Sequence, residues 1–369
     1  MECSSIQPLS YDIFSAALHT RLRQERVPLN GSLEVTLRCN LRCEHCYVPF
    51  SQRAGTSQGE LSLPEIRGLF SEIADMGCLW LLLTGGEPFL RRDFLDIYDD
   101  AKHKGFIITI FTNGTLINER IADHLAEWRP FAIEISLYGA TQATYERVTG
   151  VPGSYARCLR GIELLQERGL PLQLKSVLIT LNQHELEQMQ IFAQNRGVNF
   201  RFDPVINAGI DGSLHPTQYR LSPEQIVAIE VSDPGRSAQW PQEFIDSRDV
   251  EINTNQMYTC GAGKLAFHID ASGKLCLCIS ARTPSYDLRQ GTFRAGWEQF
   301  LPGIRLQEYS QSFACFGCEL RPVCAQCPAM AYSEFGNFES QVPFLCQLAH
   351  QRRKTFDPIV VESVSGSEI

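Results

Sequence analysis

The chain has 369 residues, of which 44% are hydrophobic and 20% are charged, and this balance is typical of a soluble globular protein with one large domain or two moderate ones. Its formal charge of -9 argues against a broad nucleic-acid-binding surface. No run of about 18 apolar residues predicts a membrane span, and the N-terminus does not have the pattern of an export signal. Fourteen cysteines in such a chain indicate reduced thiols that bind metals in the cytoplasm.

An alternation of short apolar runs and amphipathic helical patterns begins near residue 33. The preceding residues, 1–30, predict a short helix and a linker of a kind that can cap the bottom of a barrel. Strands are predicted at 33–37, 79–84, 106–112, 131–137, 172–179 and 200–206, and helices near 65–76, 92–104, 118–127, 155–168 and 184–195. This α/β alternation indicates a parallel sheet, and six units over residues 31–206 predict a partial (β/α)6 barrel of the TIM type.

The alternation of apolar runs and helical patterns ends after residue 206. Residues 207–255 contain several prolines and predict a bridging segment with one helix near 223–231. Residues 256–350 hold eight cysteines and predict a second, cysteine-rich unit that binds metal and has little regular structure. Residues 351–369 are predicted to form a C-terminal tail, whose Ser- and Glu-rich end is expected to be disordered.

Three cysteines follow the first predicted strand in a C-x3-C-x2-C loop, namely Cys39, Cys43 and Cys46. Three thiolates on one loop can hold three corners of a cubane iron–sulfur cluster, whose fourth iron is then open to another ligand. The spacing alone would also fit a zinc knuckle short of one ligand, or ordinary buried cysteines. Catalytic groups of parallel barrels lie on the loops after the strands, and this loop is the first of them.

The second predicted strand ends in Gly85, Gly86 and Glu87, followed by a proline. Paired glycines let a ligand lie directly against the backbone, and a carboxylate beside them can accept hydrogen bonds from an ammonium group. With this segment one strand after the cysteine loop, the chain resembles the radical S-adenosylmethionine (SAM) enzymes over roughly residues 33–206. The resemblance implies a [4Fe-4S] cluster on the three cysteines, with SAM on its open iron and its ammonium held by these two glycines and the carboxylate.

The resemblance also implies what the cofactors do. An electron, delivered by a flavodoxin- or ferredoxin-type reductant, cleaves SAM and releases a 5′-deoxyadenosyl radical that abstracts hydrogen from a substrate. Further SAM contacts are implied for His45 near the adenine, Asn113 on the third loop, Ser136 at the ribose and Arg147 at the carboxylate. Each also has a structural interpretation; Arg147, for example, could pair with Glu146.

The C-terminal cysteines resemble the SPASM domain, an auxiliary-cluster extension of this family. The interleaved ligation of that domain implies two further clusters, expected to be [4Fe-4S]. The outer set would be Cys315, Cys318, Cys324 and Cys346, and the inner set Cys260, Cys278 and Cys327. Cys276 is the candidate fourth ligand of the inner cluster, and an open iron is the alternative. A zinc ribbon is a further alternative, although these cysteines exceed one tetrahedral site.

The spacing departs from the family pattern in one place, because two residues rather than the usual three separate Cys324 from Cys327. Three other cysteines have no predicted ligand role: Cys3, Cys78 and Cys158.

Enzymes with this two-part layout mostly modify peptides. The resemblance therefore implies a radical SAM enzyme that installs a crosslink, oxidation, decarboxylation or epimerisation on a ribosomal precursor peptide. The short segment before the first strand suggests that any leader recognition uses a separate protein or another surface of this chain. Alternatives are oxidation of a small molecule, formylglycine maturation of a sulfatase, and a non-catalytic electron carrier. Ile279 stands where the sulfatase branch has an aspartate, and Glu87 with its glycines argues against a carrier. No catalytic acid or base is identified.

Overall fold

The computed structural model describes residues 10–22, 25–248 and 255–359, and its strands form one sheet in the order β6-β5-β4-β3-β2-β1-β7-β8-β9. The strands are β1 Asn30–Glu34, β2 Trp80–Thr84, β3 Ile107–Thr112, β4 Ala132–Ser136, β5 Leu172–Val177, β6 Asn199–Asp203, β7 Ala266–Ile269, β8 Lys274–Cys276 and β9 Tyr286–Asp287. The helices are α1 Tyr11–Leu22, α2 Phe50–Arg53, α3 Leu63–Asp75, α4 Phe94–His103, α5 Glu119–Glu127, α6 Gln142–Thr149, α7 Ser154–Glu167, α8 Leu186–Gln194, α9 Pro223–Ser232, α10 Pro234–Arg248, α11 Phe293–Ala295, α12 Leu301–Arg305, α13 Pro328–Phe335 and α14 Pro343–Phe356.

Strands β1 to β6 pair in parallel and in chain order, which confirms the predicted (β/α)6 half-barrel. Side chains alternate along each strand. Leu81 and Leu83 of β2 and Ile108 and Ile110 of β3 are buried in the hydrophobic core that the outer helices also form. The intervening positions face the barrel interior, so the residues near the carboxyl ends of the strands are directed towards one mouth.

Helix α1 covers the opposite end of the barrel, as the sequence predicts. Its Tyr11, Phe14 and His19 rings lie 5.3–6.3 Å from the Trp80 ring, centroid to centroid, at the start of β2. These contacts close the barrel at the amino ends of its strands, away from the cysteine loop.

The first strand lies three residues earlier than predicted, because Asn30 and Gly31 do not look like strand residues in the sequence. The structure explains the glycine: a Cβ at Gly31 would lie 2.5 Å from the Phe267 ring on the neighbouring strand β7. Helix α6 was not predicted, although Thr141 caps its start and Gly150 ends it in the left-handed conformation.

The prediction of a single helix in residues 207–255 is wrong, because two helices, α9 and α10, occupy this segment. Pro223 and Pro234 stand at the first helical positions, where the missing N–H of proline costs no hydrogen bond. Ser222 caps α9, and α10 accommodates Pro241 in its interior. These prolines therefore start helices more than they interrupt them.

The cysteine-rich unit continues the sheet of the barrel, since β7 pairs in parallel with β1 and carries the antiparallel strands β8 and β9. The prediction of little regular structure holds for residues 306–327, which contain no helix or strand, and is wrong for the rest of the unit, which contains β7 to β9 and α11 to α13. Helix α14 extends past residue 350 and joins α9 through a buried ion pair between Arg352 and Glu230, 2.6 Å apart. The tail predicted to be disordered, from residue 360, lies outside the described residues. None of the helices in the described part of the chain has the length and apolar character that a membrane crossing requires.

Candidate functional site

The glycine pair after β2 supports the cysteine loop after β1. The Gly86 N–H donates to the Thr36 carbonyl and the Glu87 N–H to the Arg38 carbonyl, each at 2.8 Å. A Cβ at Gly85 would lie 2.1 Å from the Thr36 oxygen, so no larger residue fits there. The chain's own loop therefore lies against these glycines, which the sequence had assigned to a ligand; the two glycines also line the cavity beside the loop.

The thiols of Cys39, Cys43 and Cys46 line one cavity of about 320 Å³ at the carboxyl ends of the strands. Burial raises the pKa of Cys39 to about 12 and that of Cys43 well above its ordinary range, and the neighbouring thiols add to both shifts. Such thiols stay protonated until a metal displaces the protons. Among the described residues no group of three or more metal-binding side chains converges on one point. A cubane iron–sulfur cluster fits three separated thiols, because each of its cysteine ligands binds a different iron.

Two groups direct N–H donors at the first thiol of the loop. The Leu41 N–H lies 3.4 Å from Cys39 Sγ, and Asn113 Nδ2 lies 3.8 Å from it. The same Asn113 amide donates to Asn40 Oδ1 at 3.0 Å, which fixes its orientation. Hydrogen bonds to cysteine sulfur are one of the ways by which proteins adjust an iron–sulfur cluster. The residues present therefore fit a cluster at this loop.

Glu87 has no exposed surface and does not line the cavity. Its carboxylate accepts hydrogen bonds from Thr112 Oγ1 at 2.8 Å, the Asn113 N–H at 2.7 Å and the Phe89 N–H at 3.2 Å. Burial raises the pKa of Glu87 to about 7, although these three hydrogen bonds oppose the shift. The side chain thus ties the loops after β2 and β3 together, and its direct contact with SAM stays a prediction.

Glu87→Gln is expected to destabilise the metal-free chain by about 1–3 kcal/mol. The reason is that the side-chain NH₂ group of the glutamine would face the hydrogen-bond donors that the carboxylate now accepts from. The wild-type carboxyl, with its folded pKa above its ordinary value of 4.5, holds a proton in the folded state that the unfolded state releases. Its contribution to stability therefore falls as the pH rises from 4.5 to about 7, and the variant should lack this slope. Urea unfolding at several pH values measures both effects, with exposed Glu119→Gln as the control. Equal stability of Glu87→Gln and wild type would contradict this role.

Three other predicted SAM contacts line the cavity: His45, Asn113 and Ser136. His45 is buried with its ring 4.7 Å from that of Tyr138, centroid to centroid, and burial lowers the pKa of His45 to about 4. A neutral, buried imidazole ring is suited to the contact with the adenine of SAM that is predicted for His45. Arg147 is exposed on α6 and does not line this cavity, so its predicted contact is not supported by its position and stays a prediction.

Charged residues on β5 and β6 complete the cavity and were missed from the sequence. Lys175 is in register with Ser136 on one side and with Arg201 on the other. Both cations pair with Glu134 of β4, whose carboxylate lies 3.6 Å from Lys175 Nζ. Asp203, at the end of β6, is the one carboxylate among the lining residues. Charges at alternate positions of predicted strands are a signal that could have identified this set.

The C-terminal thiols are neighbours in two groups, and the assignment of these groups to two clusters stays a prediction. Burial raises the pKa of Cys327 and Cys278, and the nearby thiol of Cys260 adds to both shifts. In the other group, burial raises the pKa of Cys315 to about 11, with further contributions from three neighbours: Cys324, Cys318 and Cys346. Each group thus brings together cysteines that are distant in the sequence.

Cys276 points elsewhere, since its thiol donates to the carbonyls of Lys274 and Arg282, at 3.6 and 3.7 Å. Its role as a fourth ligand stays a prediction. Cys78 and Cys158 are buried in the hydrophobic core, apart from both groups, and Cys3 lies outside the described residues.

A parallel half-barrel with three cysteine thiols at the carboxyl ends of its strands defines an enzyme with an iron–sulfur site. Comparison with known proteins identifies the family. The model of the Radical SAM superfamily matches residues 33–193. The PqqA peptide cyclase of Rhizobium meliloti is 31% identical over 318 residues, which cover 82% of this chain and 84% of the cyclase. The chain therefore belongs to the radical SAM superfamily, and SAM and a [4Fe-4S] cluster are its cofactors.

Two further proteins are similar over most of their length. The AdoMet-dependent heme synthase of Methanosarcina barkeri is 26% identical over 334 residues, covering 84% of this chain and 94% of the synthase. The crystal structure of Streptococcus suis SuiB bound to precursor peptide SuiA superposes with a TM-score of 0.64 at 16% identity, covering 94% of this chain and 83% of SuiB. The latter similarity shows that the fold extends through the C-terminal unit.

Proposed function

We propose that this radical SAM enzyme modifies a peptide, and the observation that carries the proposal is a groove of three adjoining cavities that continues beyond the one lined by the cysteines. The cavity beside the cysteines adjoins a second one of about 280 Å³. The two share five lining residues: His45, Tyr47, Val177, Asp203 and Ile279. Because these residues belong to both the barrel and the C-terminal unit, the groove follows the boundary between them.

A third cavity, of about 380 Å³, continues the groove past α13. It shares Ile210, Ser280, Ala329 and Ser333 with the second cavity. Three adjoining cavities of this size form an elongated path, whereas drug-sized ligands usually occupy one pocket. An extended peptide could place one residue beside SAM and its neighbours along this path.

The residues of the first cavity have distinct proposed roles. Cys39, Cys43 and Cys46 would hold the cluster, and the main chain of Gly85 and Gly86 would receive the SAM ammonium. When bound and reduced, these cofactors supply the 5′-deoxyadenosyl radical that abstracts hydrogen. His45, Asn113 and Ser136 would orient SAM within the cavity, and the buried walls limit the access of water.

The relatives support a peptide and also provide a second candidate. A peptide cyclase is among the relatives that match most of this chain, and SuiB has been crystallised with a precursor peptide. A heme synthase matches 94% of its own length, and this favours oxidation of a small molecule as the second candidate function. Either reaction uses the same mouth of the barrel.

The deciding experiment is anaerobic co-expression of the enzyme with each short peptide encoded beside its gene, followed by mass spectrometry. A mass change that requires active enzyme is the expected result, and a Cys43→Ala variant is the control. If every neighbouring peptide stays unmodified while the reconstituted enzyme forms 5′-deoxyadenosine with a porphyrin precursor, the peptide proposal is wrong and the second candidate replaces it.

We also propose that the two C-terminal thiol groups hold auxiliary [4Fe-4S] clusters, with Cys276 or an open iron completing the inner one. Reconstituted protein should then contain about twelve iron atoms per chain. Cys318→Ala should lower this count by about four while SAM still changes the spectrum of the remaining iron. Iron and sulfide analysis measures the count, and a value near four in the wild type would exclude the auxiliary clusters.

Two partners and a compartment complete the proposal. A flavodoxin- or ferredoxin-type protein would deliver the electron, and a separate protein would present the leader of the peptide. All cysteines of the described residues are free thiols, which supports a reducing compartment such as the cytoplasm.

A further inference from the structure

One arginine beside the cysteine loop lacks the partner that a buried charge normally has. Arg53, at the end of α2, is only 9% exposed and lines the cavity of the three thiols. No carboxylate of the described residues lies within ion-pair distance of it. A buried, unpaired cation is costly, so such a position indicates an anion that completes it.

The hydrogen bonds of Arg53 are equally incomplete. Its Nη1 donates to the Leu41 carbonyl at a long 3.5 Å, and its buried Nε has no partner. Its main-chain carbonyl accepts from the Cys39 N–H at 3.0 Å, which holds the residue against the cysteine loop. The guanidinium is therefore positioned by the loop but is not neutralised by the protein.

Three side chains that line this cavity together with Arg53, those of Cys39, Cys43 and Cys46, become anionic when they bind a metal. A guanidinium is permanently charged and presents several donors in a rigid plane. Net charge and hydrogen bonds at sulfur set the reduction potential of an iron–sulfur cluster, so a fixed cation here favours the reduced, more negative state.

We propose that Arg53 is the counterion of the SAM-binding cluster and raises its reduction potential. Nearby Arg42 offers a matched comparison: it belongs to the same loop and its guanidinium lies 5.4 Å from the Phe50 ring, against 5.7 Å for that of Arg53. Arg42 is exposed; it lines a neighbouring cavity with Cys43, Cys46 and Arg53 but not the cavity that contains all three thiols. The proposal rests on the assignment of the cluster to Cys39, Cys43 and Cys46, and is independent of the substrate.

The test is a redox titration of the reconstituted holoenzyme, followed by electron paramagnetic resonance of the signal that changes when SAM is added. This signal separates the first cluster from the auxiliary ones. Arg53→Gln should shift the midpoint reduction potential of this signal to a more negative value. Arg53→Lys and Arg42→Gln should have the same midpoint potential as the wild type. An unshifted Arg53→Gln overturns the proposal; if its affinity for SAM is lost at unchanged potential, the anion is the SAM carboxylate instead.

Urea unfolding of the metal-free chain provides a second, independent readout. Because the cation has no partner without the cluster, metal-free Arg53→Gln should be at least as stable as the wild type. A metal-free variant that is less stable, or that does not fold, identifies Arg53 as a structural residue and contradicts the inference. Loss of the SAM-sensitive signal in Cys43→Ala checks the ligand assignment separately, so that the two failures are distinguishable.

Discussion

Cys43→Ala is expected to abolish the formation of 5′-deoxyadenosine from SAM and to remove about four iron atoms per chain. Cys39, Cys43 and Cys46 are the three cysteines that line this cavity, so the variant has no fourth thiol there to replace the lost ligand. The loop itself should persist, because its main chain is held independently: the Arg42 N–H donates to the Thr149 carbonyl at 2.8 Å. Anaerobic reconstitution, chromatography of the nucleoside and iron analysis measure the result.

Cys158→Ala is the matched control for this prediction. Cys158 is fully buried, and burial raises the pKa of its thiol to about 12, but it lies on α7 in the hydrophobic core. Its replacement should cost about 1 kcal/mol of stability and leave SAM cleavage intact. Cleavage by Cys43→Ala at the wild-type rate would show that the cluster has other ligands, and loss of cleavage in both variants would point to a general folding defect.

The sequence predicts those parts of the fold that depend on local pattern. The six parallel strands and the helices between them, apart from α6, follow from apolar periodicity. The two cysteine sets of the C-terminal unit are what family spacing implies. The groove does not follow from either, because residues such as Val177, Ala329 and Ser333 carry no chemical signature. Their role depends on the fold bringing α13 and the ends of β5 and β6 to one cavity, although these elements are distant in sequence.

The burial of individual side chains also changes the roles that we assign to them. Glu87 looks like a SAM ligand in the sequence, but its carboxylate is occupied by two loops of the protein. Arg53 looks like one more charge in a polar turn, yet the structure buries it beside three thiols. A sequence reports which groups are present, whereas the cost of burying each one depends on partners that only the fold brings together.

The second large effect is expected at Glu34, the last residue of β1, which joins the cysteine loop to the C-terminal unit. Its carboxylate receives two hydrogen bonds from Arg282, at 2.6 and 2.7 Å, and one from the Tyr47 hydroxyl at 3.3 Å. His268 Nε2 lies 3.5 Å away. Tyr47 follows Cys46 directly, and Arg282 follows the Cys278 loop, so one carboxylate holds both cysteine segments.

Glu34→Gln is expected to destabilise the metal-free chain by about 3–5 kcal/mol, because it leaves the largely buried Arg282 without a counterion. Glu298→Gln, which breaks an exposed helical pair with Arg294, should cost no more than about 0.5 kcal/mol. Replacing both Glu34 and Arg282 with apolar residues should recover part of the loss, since no unpaired charge then stays buried. Urea unfolding compares the four proteins, and a Glu34→Gln variant as stable as Glu298→Gln would contradict the prediction.

The pH dependence of stability tests the same carboxylate in a different way. Burial alone would raise the pKa of Glu34, but His268 and Arg282 outweigh it and lower the pKa to about 2. A group whose folded pKa lies below its ordinary value stabilises the protein above that value and loses the effect as the pH falls. Wild-type stability should therefore decline between pH 4.5 and about 2 through this group, and Glu34→Gln should lack that part of the decline. If both proteins lose stability equally over this range, the carboxylate is not the charged link between the two cysteine segments.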